Sequence, residues 1–306
     1  MYFLTEEERK FLLRGILPRS REMGVAEELR GWQWHEPPLQ PTHDVRLPVY
    51  EVAAKYCPSG RDLYLRRVLG VRVKPSKEMI MGSVLHQTIF RVMVRAKRLI
   101  YEKGADRYKE IINCLHEPLV GPDIPSATEL KEDDLNDIRQ KAGLISEFEA
   151  TRLSSRIHDI LARQPHIGED SLAALAIPVV MEHRLDGSFL GLSQNLSADA
   201  YTFSEPMIVD VKFGPPEKFH HLTTTAYALV MEALYEFPIN VGCLVYVQFR
   251  GDRIIVQKDF HTIDDENRQW FIEERDEKMR FITDELDPGF PQTCHQKCLY
   301  REHCNR

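Results

Sequence analysis

The alternation of apolar and polar positions predicts a helical first half of the chain and a strand-rich second half. Charged residues interleaved with apolar ones over 5–30 suit one or two surface helices, and residues 35–42 form a proline-rich connector. Apolar positions at helical spacing predict a long amphipathic helix over 77–103. A loop with several prolines at 118–126 then leads into a mostly helical, acid-rich stretch over 127–164.

From Ala173 onward the period of the pattern shortens to that of strands. Asp186-Gly187 is a favourable hairpin turn, and Gly251-Asp252 is a second turn. Helices over 219–235 and 264–286 interrupt and close this region. The order of elements predicts an α/β fold, in which helices cover the faces of a mixed sheet and a helical region precedes it. The predicted strands are 176–185, 189–192, 196–203, 207–213, 241–249 and 254–260.

Composition and charge are those of an ordinary globular protein, with 43% apolar and 28% charged residues and a net charge of −7. This charge argues against a surface coated in positive charge, but a local basic patch is sufficient for phosphate contacts. Such a patch is either a solvated helix face or a groove that follows a nucleic-acid strand. Its residues are Arg61, Arg66, Arg67, Arg72, Lys74 and Lys77.

The chain has no segment near the roughly 20 apolar residues that a membrane span needs. Its first residues are acidic, whereas a secretory signal begins with basic ones. We therefore expect a soluble, cytoplasmic protein without a membrane partner. In that compartment thiols stay reduced, and clustered cysteines more often bind metal than form disulfides.

Three of the six cysteines, Cys294, Cys298 and Cys304, form a C-x3-C-x5-C run near the end of the chain. A short polar stretch has no core in which to bury them, so we expect ligands or disulfide partners. Cys57 is the best fourth candidate, because an interruption at 58–60 of a helix over 49–68 sets it at a helix end. Four sulfurs from both ends of the chain indicate an iron-sulfur cluster or a zinc ion. For zinc, His295 and His303 could replace cysteine ligands.

Two aspartates and a lysine follow one another on neighbouring predicted strands. Asp210 and Lys212 are two residues apart, so their side chains share one face, and Asp199 can converge on them from the adjacent strand. The carboxylates suit Mg2+ or Mn2+, and Lys212 could orient or deprotonate an attacking water. The alternative is an exposed ion pair at a strand end. His86 on the long helix would complete a site of two carboxylates and one histidine and would favour Mn2+.

Four other residues could serve chemistry or packing. We expect His220 and His221, at the start of a helix, on the surface or facing nucleic acid, with a second metal site as the alternative. Cys114 and Cys243 have apolar neighbours and are expected to be buried hydrophobic residues.

In their order along the chain, these residues resemble RecB-like PD-(D/E)xK nucleases that carry an iron-sulfur cluster. The chain is most similar to the CRISPR-associated RecB-like exonucleases of the spacer-acquisition machinery, and its N-terminal stretch through Tyr64 is similar to their archaeal type I-A variant. The resemblance spans essentially the whole chain. The positions that carry it are Cys57, Gly82-x3-His86, Glu182, Leu190-Gly191-Leu192, Asp199, Asp210-x-Lys212, Tyr227, Cys294, Cys298 and Cys304.

The resemblance implies a restriction-endonuclease-like core over 171–290, a helical region over 1–170 and an iron-sulfur tail over 291–306. It implies a single-strand DNA exonuclease that trims spacer precursors, with single-stranded or overhang DNA as substrate and CRISPR integrase subunits as partners. Lys212 would be the catalytic lysine. The implied ligands of the catalytic metal are His86, Asp199, Asp210 and the Val211 carbonyl, and those of a [4Fe-4S] cluster are Cys57, Cys294, Cys298 and Cys304.

The chain departs from this family at two points. Ala198 stands where the motif name has proline, and the glutamine that usually precedes the tyrosine of the following helix is not evident before Tyr227. Since that glutamine helps to position water or substrate, turnover could be weak even with metal bound. Two other functions therefore stay open: an iron-sulfur DNA-binding subunit of the spacer-integration complex that does not cut, and a general RecB-like DNA repair exonuclease.

Overall fold

The computed structural model describes residues 1–119, 121, 124, 130–202, 204–294 and 298–304. A π-helical turn over Leu12–Ile16 joins the first two helices. The predicted helices over 5–30, 77–103, 219–235 and 264–286 are confirmed, and so is the described part, from residue 130, of the mostly helical stretch predicted over 127–164. Helices α6 and α8 were not predicted. The helices are α1 (Glu6–Phe11), α2 (Leu17–Met23), α3 (Val49–Ala53), α4 (Arg61–Arg67), α5 (Lys77–Lys103), α6 (Tyr108–Leu115), α7 (Glu132–Arg163), α8 (Glu169–Ala176), α9 (His221–Tyr235) and α10 (Asp265–Thr283).

Helix α5 has the predicted bounds because both of its ends are encoded locally. The Ser76 hydroxyl accepts a 3.3 Å hydrogen bond from the Met79 amide at the N-terminus. Gly104, with φ of 78°, ends the helix. The buried stripe of the helix includes Leu85 and Val92, which pack into the same hydrophobic cluster as α7 and one face of the sheet.

The five described strands form one mixed sheet in the order β1-β2-β3-β4-β5. Only β3 and β4 are parallel, and α9 connects them; the other neighbouring pairs are antiparallel. This confirms an α/β fold with a mixed sheet. The strands are β1 (Val180–Leu185), β2 (Leu196–Thr202), β3 (Met207–Lys212), β4 (Val241–Arg250) and β5 (Arg253–Thr262).

Helical layers cover both faces of the sheet. Helices α5 to α8 pack on the face that includes Val209 and Val211, whereas α3, α9 and α10 pack on the face that includes Ile208. Successive residues of β3 therefore alternate between two hydrophobic clusters. The predicted division of the chain at residues 170 and 290 stays a prediction.

Two strand predictions were wrong at the start of the sheet. Helix α8 continues to Ala176 and β1 begins at Val180, so the strand predicted over 176–185 starts four residues too early. The strand predicted over 189–192 is absent from the described structure, because 188–190 form a 3-10 turn. The Asp186 carboxylate accepts a 2.9 Å hydrogen bond from the Ser188 amide, which stabilises that turn instead of a two-residue hairpin.

The position of Cys57 also differs from the prediction. Helix α3 ends at Ala53, and Cys57 lies in the turn before α4 rather than at a helix end. The Lys278 ammonium donates to the carbonyls of Val52 and Ala54 at 2.7 and 3.0 Å, which satisfies the terminal carbonyls where the helix stops. Some predictions concern residues outside those that the structure describes. These are part of the loop at 118–126, residues 127–129, Phe203 and His295.

No described helix combines the length and apolarity that crossing a membrane requires.

A buried ionic network joins the last two helices. The Glu232 carboxylate on α9 accepts hydrogen bonds from Arg268 on α10 at 2.6 and 2.9 Å, and from Arg30 at 2.8 Å. It also accepts from the Gly31 and Ile239 amides, both at 2.9 Å. Glu232 and Arg268 are both fully buried, so each charge depends on the other for compensation.

Replacing Glu232 by Ala should therefore destabilise the fold by about 3–5 kcal/mol, since Arg268 would stay buried without a counter-charge. The matched control is Glu266→Ala, whose pair with Lys218 is exposed and 3.8 Å long; it should cost less than about 1 kcal/mol. Urea unfolding of the three proteins measures both values. Equal midpoints for the two variants would contradict the assigned role of Glu232.

Candidate active site

Strands β2 and β3 separate where the candidate site begins. Their antiparallel pairing stops at the Ala200–Val209 pair, and one further step in this register would set Asp199 opposite Asp210. Instead, the Asp199 carboxylate turns toward β3, and its Oδ2 atom accepts a 2.9 Å hydrogen bond from the Val211 amide. A side chain thus replaces the backbone of β2 as the hydrogen-bond partner of β3.

Asp210 and Lys212 share one face of β3, as their spacing predicted. The Lys212 Nζ atom lies 2.9 Å from Asp210 Oδ2. Because Asp210 is only 5% exposed, this contact compensates a carboxylate that water reaches poorly. The predicted convergence of the two acids and the lysine is present in the structure.

His86 reaches these residues from α5. Its Nδ1 atom lies 3.3 Å from Asp199 Oδ2, and its ring packs edge-on against Phe213 with centroids 5.1 Å apart. Despite the short contacts, neither His86 Nδ1 nor Asp210 Oδ2 makes a well-directed hydrogen bond with any residue that the structure describes. Buried polar atoms normally have such partners, so these two atoms are suited to bind a cation.

The donor set fits a divalent metal ion. In a strand, the N–H and C=O groups of one residue point to the same side, so the Val211 carbonyl faces the side of Asp199. Two carboxylates and an imidazole lie together here, and a carbonyl oxygen faces the same side of β3. Oxygen ligands suit Mg2+ or Mn2+, and the imidazole shifts the preference toward Mn2+.

Burial and charge shift the acid–base behaviour of the site. Burial raises the pKa of Asp199 to about 6; the neighbouring His86 lowers this pKa and Asp210 raises it. For Lys212, burial lowers the pKa, but attraction to Asp210 and Asp199 outweighs burial and leaves the pKa above its usual value. Lys212 is therefore charged at neutral pH, which favours orientation and charge compensation over proton abstraction from water.

The site residues line a cleft of about 400 Å³ between the sheet, α5 and α9. Two exposed aromatic side chains, Tyr50 and Tyr56, stand at this cleft, and Tyr56 packs edge-on against Phe219. A groove of about 1120 Å³ adjoins the cleft and shares His86 and residues 195–197 with it.

The expectation of a surface position was wrong for His220, which is buried and lines the cleft. Its Nε2 atom lies 3.3 Å from the Tyr56 hydroxyl, and its Nδ1 atom lies 3.2 Å from the Tyr246 hydroxyl. Burial, with a smaller contribution from Lys212, lowers the pKa of His220 to about 4, so the imidazole is neutral. The apolar helix that follows His220 was the one sequence signal for its burial.

The basic patch after Cys57 carries less free charge than the sequence suggested. At least four of its six residues form ion pairs with acidic side chains, and Arg72 and Lys74 are exposed. A partly neutralised surface supports the solvated-face interpretation for this part of the chain. The pairs are Arg61–Asp287 at 2.8 Å, Arg66–Glu51 at 3.2 Å, Arg67–Glu51 at 3.0 Å, Lys77–Asp134 at 2.8 Å and Lys77–Asp137 at 2.9 Å.

The cysteines from the two ends of the chain lie in one region. Cys298 and Cys304 pack with Leu65, and burial raises the pKa of the Cys298 thiol, with smaller contributions from the nearby Cys294 and Cys57. None of the six cysteines forms a disulfide. Of the other two, Cys243 is buried as expected, whereas Cys114 is only half-buried.

Further contacts join the turn of Cys57 to the segment that leads into the tail. The Ser59 hydroxyl lies 3.7 Å from Cys57 Sγ and donates to the Gly289 carbonyl at 2.9 Å. The Arg61 guanidinium also stacks over the Phe290 ring, 3.9 Å from its centroid. Four thiols gathered by such contacts match the donor set of an iron-sulfur cluster or a structural zinc ion.

A family model described as CRISPR-associated exonuclease Csa1 matches residues 1–306. The chain belongs to the Csa1 family. A Csa1 exonuclease of Saccharolobus solfataricus is 29% identical over 310 residues, which cover 99% of both chains. A Csa1 exonuclease of Thermoproteus tenax is 30% identical over 301 residues, which cover 98% of this chain and 99% of the relative. The resemblance found in the sequence is thereby confirmed, and membership of the Csa1 family supports a CRISPR-associated nuclease.

Proposed function

We propose that this protein is a metal-dependent single-strand DNA exonuclease that trims spacer precursors in CRISPR adaptation. The observation that carries the proposal is the convergence of His86, Asp199, Asp210 and Lys212 at the point where β2 and β3 separate. The exonuclease name of the two relatives supports hydrolysis of nucleic acid. In this proposal the sheet and its helices are a restriction-endonuclease-like core, and the protein works in the cytoplasm.

The residues would divide the chemistry by position. His86, Asp199, Asp210 and the Val211 carbonyl would hold Mn2+ or Mg2+, which supplies charge stabilisation at the phosphate and a more acidic bound water. Lys212, charged beside Asp210, would orient the attacking water and offset the charge that develops on the phosphate. The Asp199 carboxylate, held by the Val211 amide, would keep its direction during the reaction.

Single-stranded or overhang DNA suits the shape of the site. Tyr50 is 61% exposed and Tyr56 is 67% exposed at the cleft, and exposed aromatic rings stack on unpaired bases of any sequence. A continuous duplex would keep its bases stacked inside the helix and away from such rings. Integrase subunits of the CRISPR adaptation machinery are the proposed partners that would receive the trimmed DNA.

The four cysteines Cys57, Cys294, Cys298 and Cys304 would bind a [4Fe-4S] cluster that joins the turn before α4 to the tail. The gathered thiols and the contacts of Ser59 with Gly289 support this assignment. Zinc remains the alternative metal; of the two histidines that could replace a cysteine ligand, His303 is exposed and His295 lies outside the described residues. Either metal would couple binding to folding, because the site closes a loop over most of the chain.

A second candidate function is an iron-sulfur DNA-binding subunit that holds spacer precursors without cutting them. The composition of the cleft wall supports this function. Helix α9 contributes Thr223 and Tyr227 to the wall, and the turn before α9 contributes His220; none of these three residues is a glutamine. Without an amide to position water, the site could bind DNA and turn over slowly.

Replacement of Lys212 by Ala separates these two functions. The rate of single-stranded DNA degradation with Mn2+ should fall by about 10²–10³-fold, since charge compensation at the phosphate is lost. The matched control is Lys218→Ala, an exposed lysine on the same connection, which should retain the wild-type rate. End-labelled oligonucleotides resolved by size give the rates. Equal rates for wild type and Lys212→Ala would favour the DNA-binding subunit.

Replacement of Cys294 by Ala tests the cluster. Wild-type protein purified without oxygen should show a broad visible absorption shoulder, and the Cys294→Ala variant should be colourless and unstable or aggregated. Cys114→Ala, which removes a half-buried thiol outside the group, should keep the colour. A brown, fully folded Cys294→Ala variant would rule out the assigned ligand, and a colourless folded wild type would indicate zinc.

A further inference from the structure

A second group of metal-ligating side chains lies outside the cleft. His221 is the first residue of α9, and Asp259 and His261 lie on β5. The Nε2 atom of His221 is 3.1 Å from Asp259 Oδ2, and the rings of His221 and His261 stack with centroids 3.9 Å apart and planes 6° apart. One potential ligand atom from each residue lies within 4.8 Å of the other two.

The register of the sheet builds this group. Asp259 pairs with Leu244 and His261 pairs with Gly242, so the two side chains, two residues apart on β5, point to one face. Gly242 provides the space for the imidazole, since a Cβ atom there would lie 2.5 Å from His261 Nε2. Helix α9 begins over this face, so that its first residue, His221, lies next to Asp259 and His261.

His261 has the surroundings of a ligand. Its Nε2 atom lies 2.8 Å from the Thr224 hydroxyl, and metal-binding histidines usually have such a partner on the second nitrogen. Its Nδ1 atom is buried and makes no well-directed hydrogen bond with any described residue, although the Asp259 backbone is close.

The group is open to ions from solvent. The Asp259 carboxylate is 42% exposed and the His221 ring is 21% exposed, whereas His261 forms the buried wall. An ion pair between His221 and Asp259 would explain one of the contacts. It does not account for the third potential ligand, His261, whose ring stacks on the same histidine.

We propose that His221, Asp259 and His261 bind one divalent transition-metal ion, for which Zn2+ is the best match, at a site separate from the candidate active site. Two imidazoles and a carboxylate are a common zinc donor set, and three protein ligands leave the fourth position to water. Around zinc at about 2.0–2.1 Å from each ligand, tetrahedral ligand atoms are about 3.4 Å apart. To bind one ion, the observed group would contract from separations of up to 4.8 Å, and the His221 and His261 rings would turn out of their parallel stacking.

The ion would connect the start of α9 to the edge strand β5. None of the three ligands lines the cleft, but His220, the neighbour of His221, does. The ion would therefore hold the helix start that presents His220 to the cleft. Its role is to position this segment, and the inference does not depend on the identity of the substrate.

Zinc content at a fixed free Zn2+ concentration tests the inference. After equilibrium dialysis of the full chain, Asp259→Asn and His221→Gln should each retain one zinc fewer per chain than wild type, with affinity at this site reduced at least about tenfold. The matched control, His183→Gln, removes a histidine that stacks on Tyr235 outside this group and should retain the wild-type content. The cysteines and the candidate active site are unchanged in all four proteins, so the difference isolates this site.

A second test uses the wild-type protein alone, so its result does not depend on how the variants fold. Acylation of His221 by diethyl pyrocarbonate, followed by mass spectrometry, should fall at least about tenfold when Zn2+ is present, because a metal-bound nitrogen cannot react. Acylation of His183 should not change. Equal zinc contents across the four proteins, or unchanged acylation of His221 in Zn2+, would overturn the inference.

Discussion

The end of pairing between β2 and β3 is the constraint on which the candidate site depends. Beyond the Ala200–Val209 pair, β2 no longer supplies hydrogen bonds to β3, and the Asp199 carboxylate accepts the bond from the Val211 amide. This brings two carboxylates together at the end of the paired region, where burial alone would disfavour both charges. Lys212 and His86 compensate part of that charge, and a divalent cation would compensate the rest.

The two helical layers hold the parts of this site from opposite sides. Helix α5 brings His86 from the early, helical part of the chain, while α9 carries Tyr227, whose hydroxyl donates to the Ser197 carbonyl at 2.8 Å. That bond fixes β2 two residues before Asp199. Residues far apart in sequence thus meet because each layer packs on its own face of one sheet.

Much of the fold could be predicted where local signals agreed. Helix α5 matched its prediction because a serine cap, a long apolar stripe and a glycine end all coincide, and the Gly251-Asp252 turn identified the β4–β5 hairpin. The strand predicted over 189–192 failed because Phe189, Leu190 and Leu192 suit a compact turn as well as a strand. There, tertiary packing decided the outcome, since Leu192 pairs with the distant Leu47.

Prediction of the candidate site was limited in the same way, by what local sequence patterns can report. The spacing of Asp210 and Lys212 predicted a shared face, because strand periodicity is local. The meeting of Asp199 with Asp210, and that of His221 with Asp259 and His261, depend on strand register and helix placement, which no local pattern reports. His220 was missed for this reason too: its burial follows from the packing of α9 against the sheet.

The central claim is that the separated ends of β2 and β3, together with α5, form one cation site. Anomalous X-ray scattering from crystals of the protein grown in Mn2+ tests it most directly, since it locates manganese independently of the protein atoms. We expect a peak bounded by His86, Asp199 and Asp210, close to the Val211 carbonyl. A well-occupied manganese peak elsewhere, with none between the two aspartates, would contradict it.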